Sequence, residues 1–247
     1  MKVMKKKDDA HWIIKREVGR WKVYDYTVLR HPELMRYVKN IDTLIPKTKH
    51  NNFLLDVESW YSITPVDLAK GISQSIKNKY QSAVSILDLF AGVGGNTVSF
   101  MEFSNVVDSV EFDYKKIKCL RNNVKVCTEN REHRIFYFDV YNPQLLLHLK
   151  EEYDVIMASP PWGGLDYKQD TALELFMKCR VLELEAIYST RAPLRLYMLP
   201  RQITDDIFLL LNDEFSVFNG FSKSPNRVVA KILAVGDVEG FKLKKCF

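Results

Sequence analysis

From about Ser82 onward, short runs rich in β-branched and aromatic residues alternate with segments whose apolar residues recur near helical spacing. The strand-like runs are Val84 to Phe90, Val106 to Phe112, Arg134 to Asp139, Tyr153 to Ser159 and Leu194 to Leu199. Between them, Asn96 to Phe103, Tyr114 to Thr128, Pro143 to Leu149 and Leu173 to Tyr188 have helical character. Strands separated by helices predict an α/β domain with a mainly parallel sheet. Near the C-terminus, Phe215 to Phe221 and Arg227 to Val235 flank Lys223-Ser224-Pro225-Asn226, which predicts an antiparallel pair closing one edge. Upstream, Thr64-Pro65-Val66-Asp67 is a helix-start signature, with Thr64 as N-cap and Pro65 at the first helical position. Residues 1–63 show partial helical periodicity and are expected to form a small N-terminal helical extension, with the main domain over 64–247.

Composition adds a few exclusions. At 247 residues and 47% apolar, the chain can bury a large core and is neither disordered nor a mini-protein. Its longest apolar runs, such as Ile207 to Leu211, are far short of the roughly 20 residues that a membrane helix needs. The basic start, Met1 to Lys7, leads into Asp8 and Asp9 rather than an apolar stretch, so an intracellular protein is expected. Cys119, Cys127, Cys179 and Cys246 include no Cys-x-x-Cys pair and no histidine at zinc-ligand spacing, which predicts reduced thiols and no metal site. His11, His31, His50, His133 and His148 lie outside the motifs and are expected in surface or packing roles. Net charge is +5 and the basic excess is N-terminal, a skew that suits a polyanionic partner or a solvated surface equally.

The candidate chemistry begins where Ser85 to Phe90, an apolar strand, runs into Ala91-Gly92-Val93-Gly94-Gly95-Asn96 and then a helix. Glycines there let the backbone approach a ligand closely at a helix N-terminus. Asp88 precedes the glycines, which departs from the dinucleotide fingerprint and argues against a nicotinamide cofactor. Glu111, ending the second strand, is placed to accept the hydroxyls of a ribose. Asp139, ending the third, can accept an adenine amino group. An acidic residue before the loop suits the ammonium of S-adenosylmethionine. The set Asp88, Gly92, Gly94, Glu111 and Asp139 points to a class I methyltransferase.

The fourth strand ends in Ala158-Ser159-Pro160-Pro161-Trp162-Gly163-Gly164. An aryl amine has its lone pair delocalised into its ring, so its methylation needs acceptors that orient the amine protons and aim nitrogen at the donor. Two prolines donate no hydrogen bond and stiffen a turn whose carbonyls, with Ser159, can meet that amine. Trp162 offers a flat face for a base.

Leu87 to Asn96 together with Ser159 to Tyr167 resembles the trimethylguanosine synthases, the RNA cap guanine-N2 methyltransferase family, and Leu55 to Pro65 is similar to the segment preceding that family's catalytic domain. The resemblance spans roughly Arg36 to Val235. It implies a class I (Rossmann-like) methyltransferase fold, a mainly parallel seven-stranded sheet with an antiparallel last strand, plus an N-terminal extension shared by cap and cofactor pockets. Carried over by position, Thr64, Asp88, Phe90, Gly92, Gly94, Glu111 and Asp139 would bind S-adenosylmethionine. Ser159, Pro160 and Trp162 would hold the 7-methylguanine and form the catalytic centre, with Tyr167, Glu58 and Asn123 as further cap contacts and Arg36 and Arg201 meeting the triphosphate. Two positions depart from the family pattern: Glu111 stands where aspartate is common, and Leu165 where proline is usual.

The activity so implied is two successive methyl transfers to the N2 amine of a 7-methylguanosine cap on small nuclear and nucleolar RNAs. Implied with it are a capped small RNA and ribonucleoprotein proteins as partners, a monomer, and a nuclear, nucleolar location. The residues alone also admit a guanine-N2 or adenine-N6 methyltransferase acting on an internal base of ribosomal or transfer RNA. A non-catalytic RNA-binding scaffold is a third reading.

Overall fold

The computed structural model describes residues 13–18, 21–25, 31–46, 52–104, 106–128, 133–222 and 227–245. His11, His50, residues 223–226 between the two C-terminal strands, and Cys246 lie outside them.

Seven strands form one sheet: β3 (Ser85–Leu89), β4 (Val106–Glu111), β5 (His133–Tyr137), β6 (Val155–Ala158), β7 (Leu194–Leu199), β8 (Phe215–Ser222) and β9 (Arg227–Gly236). Their order is β5-β4-β3-β6-β7-β9-β8. β3 to β7 pair in parallel, while β9 lies antiparallel between β7 and β8. This is the expected class I methyltransferase architecture, with the last strand reversed. The order changes direction between β3 and β6, and the crevice beyond the carboxyl ends of such strands is where open α/β sheets bind ligands. In register, Leu89 of β3 faces Val110 of β4 and Ala158 of β6, which brings the glycine turn and the proline turn out at the same edge.

Central strands buried on both faces read as apolar runs, as VIMA in β6 and LRLYML in β7 do. One face packs Leu87, Leu89 and Ile156 under α6 (Ala172–Lys178) and α7 (Val181–Tyr188). The other packs Ile86, Val107 and Met157 under α3 (Val66–Tyr80), α4 (Gly95–Phe100) and α5 (Tyr114–Cys127). Because strand side chains alternate, Asp88 and Ser109 share this second face.

Three local expectations need correction. Leu173 to Tyr188 is two helices, because Arg180 takes a left-handed backbone (φ 49°) and the apolar phase resets from Leu175, Phe176 and Cys179 to Val181, Leu184 and Tyr188. The cap of α3 is Pro65 and not Thr64: the helix starts one residue later, and the Thr64 hydroxyl points at the Met198 sulfur, 3.6 Å away. The N-terminal extension is not helical throughout. β1 (Ile13–Val18) and β2 (Trp21–Asp25) pair antiparallel as a separate two-stranded sheet, as suits runs of β-branched and aromatic residues around Gly19. Short helices follow, among them α1 (Met35–Val38) and α2 (Ser59–Ser62).

The extension is clamped to the main domain. Leu34, Ile45, Phe53, Leu55 and Trp60 form a satellite core against Val93 of the glycine turn and Cys119 of α5. Asn123 of α5, fully buried, completes the clamp: its Oδ1 accepts the Leu54 N–H at 2.7 Å and its Nδ2 donates to the Leu54 and Val93 carbonyls, each at 2.8 Å. Asn123→Ala is expected to lower stability by on the order of 3 kcal/mol, since it strands buried backbone groups of both segments. Urea denaturation checks this, and a loss below about 0.5 kcal/mol would contradict the clamp.

Candidate active site

The glycine turn is shaped by two constraints. Gly92 has φ 56°, which side chains rarely adopt, and Gly95 is crowded: a Cβ there would lie 2.8 Å from Ile63 Cγ1. Glycine at 95 therefore lets the Ile63-Thr64 backbone of the extension lie directly on the turn, which puts Thr64 at the site. Phe90, between strand and turn, also has positive φ (59°), a conformation that costs free energy and clusters at functional sites. Its ring packs 6.1 Å from that of Tyr141, over which the Arg180 guanidinium lies at 3.5 Å.

Asp88 is fully buried. Its Oδ2 accepts the Thr97 hydroxyl at 2.5 Å, while Oδ1 has no hydrogen-bond partner among the described residues. Burial pushes its carboxyl up to about 7, the Thr97 hydrogen bond opposes this, and the nearby negative Glu111 adds to it. Asn96 presents a second buried oxygen, Oδ1, with no hydrogen-bond partner among the described residues, while its Nδ2 donates to Ser159 Oγ at 3.2 Å. Buried acceptors without donors cost free energy, so two together fit a ligand that brings N–H groups and positive charge, as the ammonium of S-adenosylmethionine does.

Glu111 is almost fully buried at the end of β4. Its carboxylate is held by the N–H groups of Gly92 (2.8 Å), Phe112 (2.9 Å) and Asp113 (2.8 Å). Burial raises its pKa, opposed by those hydrogen bonds and by Lys116. Lys116 in turn pairs with Glu58 at 2.7 Å, tying the extension to α5 beside Glu111. Asp139 is exposed beyond β5, and its Oδ1 accepts the Tyr141 N–H at 3.0 Å, which orients the carboxylate. Asp88, Glu111 and Asp139 thus stand at the carboxyl ends of three adjacent parallel strands.

On the other side of β3, Ser159 follows β6 and is half-buried, with its N–H on the Leu89 carbonyl at 3.3 Å. Pro160 is buried and Pro161 exposed. Trp162 is half-buried: its indole N–H donates to the Met198 carbonyl at 3.2 Å, and Tyr167 packs edge-on at 5.4 Å. The ring is therefore fixed in orientation without being sealed into the core.

The remaining predicted contacts divide. Asn123 is not available to a ligand, since the clamp already uses both ends of its carboxamide; the expectation of a cap contact is corrected to a positioning role. Glu58 already holds Lys116 through one oxygen. Arg36 on α1 and Arg201 after β7 are exposed; Arg36 donates to the Tyr37 hydroxyl at 2.9 Å, and Arg201 to the Val228 carbonyl at 3.3 Å. The sequence reading missed Asn96, Thr97 and Lys116. A polar pair directly after the glycines was the available signal for the first two. Among the described residues, no helix is long and apolar enough to cross a membrane.

Residues 83–222, more than half of the chain, match the profile of the RNA cap guanine-N2 methyltransferase family. The chain is 29% identical over 160 residues to a trimethylguanosine synthase of Saccharomyces cerevisiae, covering 63% of this chain and 50% of that one. It is 34% identical over 123 residues to one of Schizosaccharomyces pombe, covering 49% and 51%. The chain thus spans about half the length of these relatives. A solved magnesium protoporphyrin IX methyltransferase from Synechocystis PCC 6803, with bound S-adenosylmethionine, is similar with a TM-score of 0.48 and 13% identity over 69% of this chain and 78% of that one.

The raised pKa of Asp88 has a signed consequence. With its folded pKa above the unfolded value, the folded state holds the extra proton between about pH 4 and 7, so this group's contribution to stability falls as pH rises through that window. Binding of a cationic amine has the opposite dependence, because only ionised Asp88 attracts it. The affinity for S-adenosylhomocysteine, which keeps the ammonium, is expected to rise through about pH 7 and to become weak and flat in Asp88→Asn. Calorimetry across pH 5.5 to 8.5 reads both; an equally steep rise in the variant contradicts the assignment.

Proposed function

The chain belongs to the RNA cap guanine-N2 methyltransferase family, and from that membership we propose that it methylates the N2 amine of 7-methylguanosine caps, first to the dimethyl and then to the trimethyl form. One observation carries the reading: the Asn96 to Ser159 hydrogen bond joins the glycine turn, with its unpartnered buried acceptors, to the Ser-Pro-Pro-Trp turn at the same sheet edge. A donor pocket and an acceptor pocket that share a wall suit group transfer between two bound molecules.

S-adenosylmethionine would supply the electrophilic methyl group, and Asp88 and Asn96 would hold its ammonium, Glu111 its ribose and Asp139 its adenine. The chain's own groups orient and exclude water. Ser159 Oγ is held by Asn96, which leaves its hydroxyl hydrogen and the carbonyls of the rigid proline turn to direct the substrate amine. Trp162, held by its N–H on Met198, gives the base a fixed flat surface. A 7-methylguanine is cationic, so stacking gains a cation–π component of about 0.5 to 2 kcal/mol, which favours methylated over ordinary guanine. The same positive charge acidifies the amine, so none of these residues needs to act as a strong base. Exposed Arg36 and Arg201 suit the triphosphate, and Tyr167 braces the indole. Small nuclear and nucleolar RNAs as substrates, contact with their ribonucleoproteins and a nucleolar site of action belong to the same proposal, as does a contribution of residues 1–63 to both pockets.

Free 7-methyl-GTP incubated with S-adenosylmethionine and the protein is expected to gain the mass of one methyl group and then of two, while unmethylated GTP gains none. A protein that ignores 7-methyl-GTP but labels ribosomal or transfer RNA would be an internal-base enzyme instead. Trp162→Ala is expected to weaken 7-methyl-GTP binding by roughly 1 to 3 kcal/mol. Fluorescence titration measures it, and unchanged affinity with normal turnover would remove the indole from the proposed role.

A further inference from the structure

Across the sheet, beneath the glycine turn, three side chains link β5 to Asp88. His133 Nε2 lies 3.0 Å from Ser109 Oγ, Ser109 Oγ lies 3.1 Å from Thr97 Oγ1, and the Thr97 hydroxyl lies 2.5 Å from Asp88 Oδ2. Thr97, Ser109 and Asp88 are fully buried, so water does not compete for these bonds. We propose that His133 is a positioning residue for Asp88, acting through Ser109 and Thr97 as the head of a one-way chain of hydrogen-bond donors.

The direction follows from counting hydrogens. An ionised carboxylate only accepts, so Thr97 must spend its single hydrogen on Asp88. Thr97 can then only accept from Ser109, and Ser109, its own hydrogen spent, can only accept from His133. The imidazole must therefore carry its proton on Nε2. Burial holds the His133 pKa down at about 4, so the ring is neutral near pH 7 and the chain needs one tautomer and not an imidazolium. Protonating Asp88 on Oδ2 runs the chain backwards: each hydroxyl turns round and His133 must accept at Nε2, with its proton on Nδ1. The protonation of Asp88 and the tautomer of His133 are thus coupled across three strands and a helix.

The chain anchors Oδ2 from the β5 side and takes no part in holding Oδ1, the oxygen without a partner among the described residues. Each bond polarises the next, so the donors together favour the ionised carboxylate against the cost of burial. Of the charged groups facing the two ends, Glu111 on β4 acts on Asp88 and Asp108 on β4 acts on His133, both through space. Asp108 is itself engaged by Arg134 and the Tyr153 hydroxyl on the opposite face of the sheet. The benefit to cofactor binding rests on the methyl-transfer reading above; the chain itself does not.

Nuclear magnetic resonance on the protein alone tests it. At pH 8 the His133 ring nitrogens are expected to report the Nε2–H tautomer, and the Asp88 carboxyl carbon to titrate near 7. Ser109→Ala and His133→Phe should each raise that midpoint by about half a pH unit, the scale of removing one bond from a mutually polarising series. His133→Gln, whose carboxamide nitrogen can replace Nε2–H, should restore it, and Ser109→Ala/His133→Phe should shift it no further than Ser109→Ala. A merely structural role would lower the melting temperature and leave the midpoint where it was. An Nδ1–H tautomer at pH 8, or an unmoved Asp88 midpoint in Ser109→Ala, overturns the proposal; if the variants do not fold, the wild-type tautomer decides alone. Absence of S-adenosylhomocysteine binding by the wild-type protein would instead sink the methyl-transfer reading, with the chain still measurable.

Discussion

Asp88 puts a charge-bearing group where water does not reach, and the surrounding elements are arranged around that cost. An unpaired buried carboxylate tends to neutralise, and this one is pushed towards doing so near physiological pH. Thr97 offsets part of the penalty from the first turn of α4, leaving one oxygen that has no donor among the described residues. A group held at that balance discriminates strongly: a cationic amine relieves the penalty, and a neutral ligand does not.

The same economy explains why the extension is tied so firmly to the glycine turn. A turn that opens with positive φ at Phe90, a non-glycine residue, stores strain there and needs neighbours that over-determine it, while Gly92 and Gly94 take positive φ without that cost. Val93 is held in the satellite core of the extension, its carbonyl is held by Asn123, and Gly95 is covered by Ile63. The extension is in this sense part of the turn's scaffold, whether or not a ligand also touches it. At the proline turn, the Trp162 indole is anchored by one hydrogen bond to the end of β7 and braced by Tyr167. In the proposed role, a stacking surface fixed in advance would lose little conformational entropy on binding a base.

Much of this architecture was legible in the chain because strands buried on both faces leave no ambiguity. VIMA and LRLYML cannot be exposed, and a parallel sheet follows from the helices between such runs. The carboxylates at strand ends and the proline pair were legible for the same reason, since a motif is a local object. Where the reading failed, the deciding contact was remote. Thr64 has every local mark of a cap, yet its hydroxyl turns to Met198, far along the chain. Asn123 looks like a polar surface residue of a helix until Leu54 and Val93 close over it. Arg180 interrupts a helix whose composition would permit it to continue, and it does so with its side chain against Tyr141 and Glu183.

His133 is the clearest case of the division. As one histidine among five outside any motif, it had nothing to distinguish it from a surface or packing residue. The parallel registers of β3, β4 and β5 bring Ser109 beside both Asp88 and the start of β5, and only then does a row of single-hydrogen donors line up on the carboxylate. By itself the sequence determined the order of the sheet's strands along the chain, the strand-end carboxylates and the family, because those depend on residue type and spacing within a few turns of chain. The tertiary structure alone decided which polar groups are buried, which are satisfied and which are left wanting a ligand, because burial and hydrogen-bond partnership are set by segments that meet only when the sheet has formed.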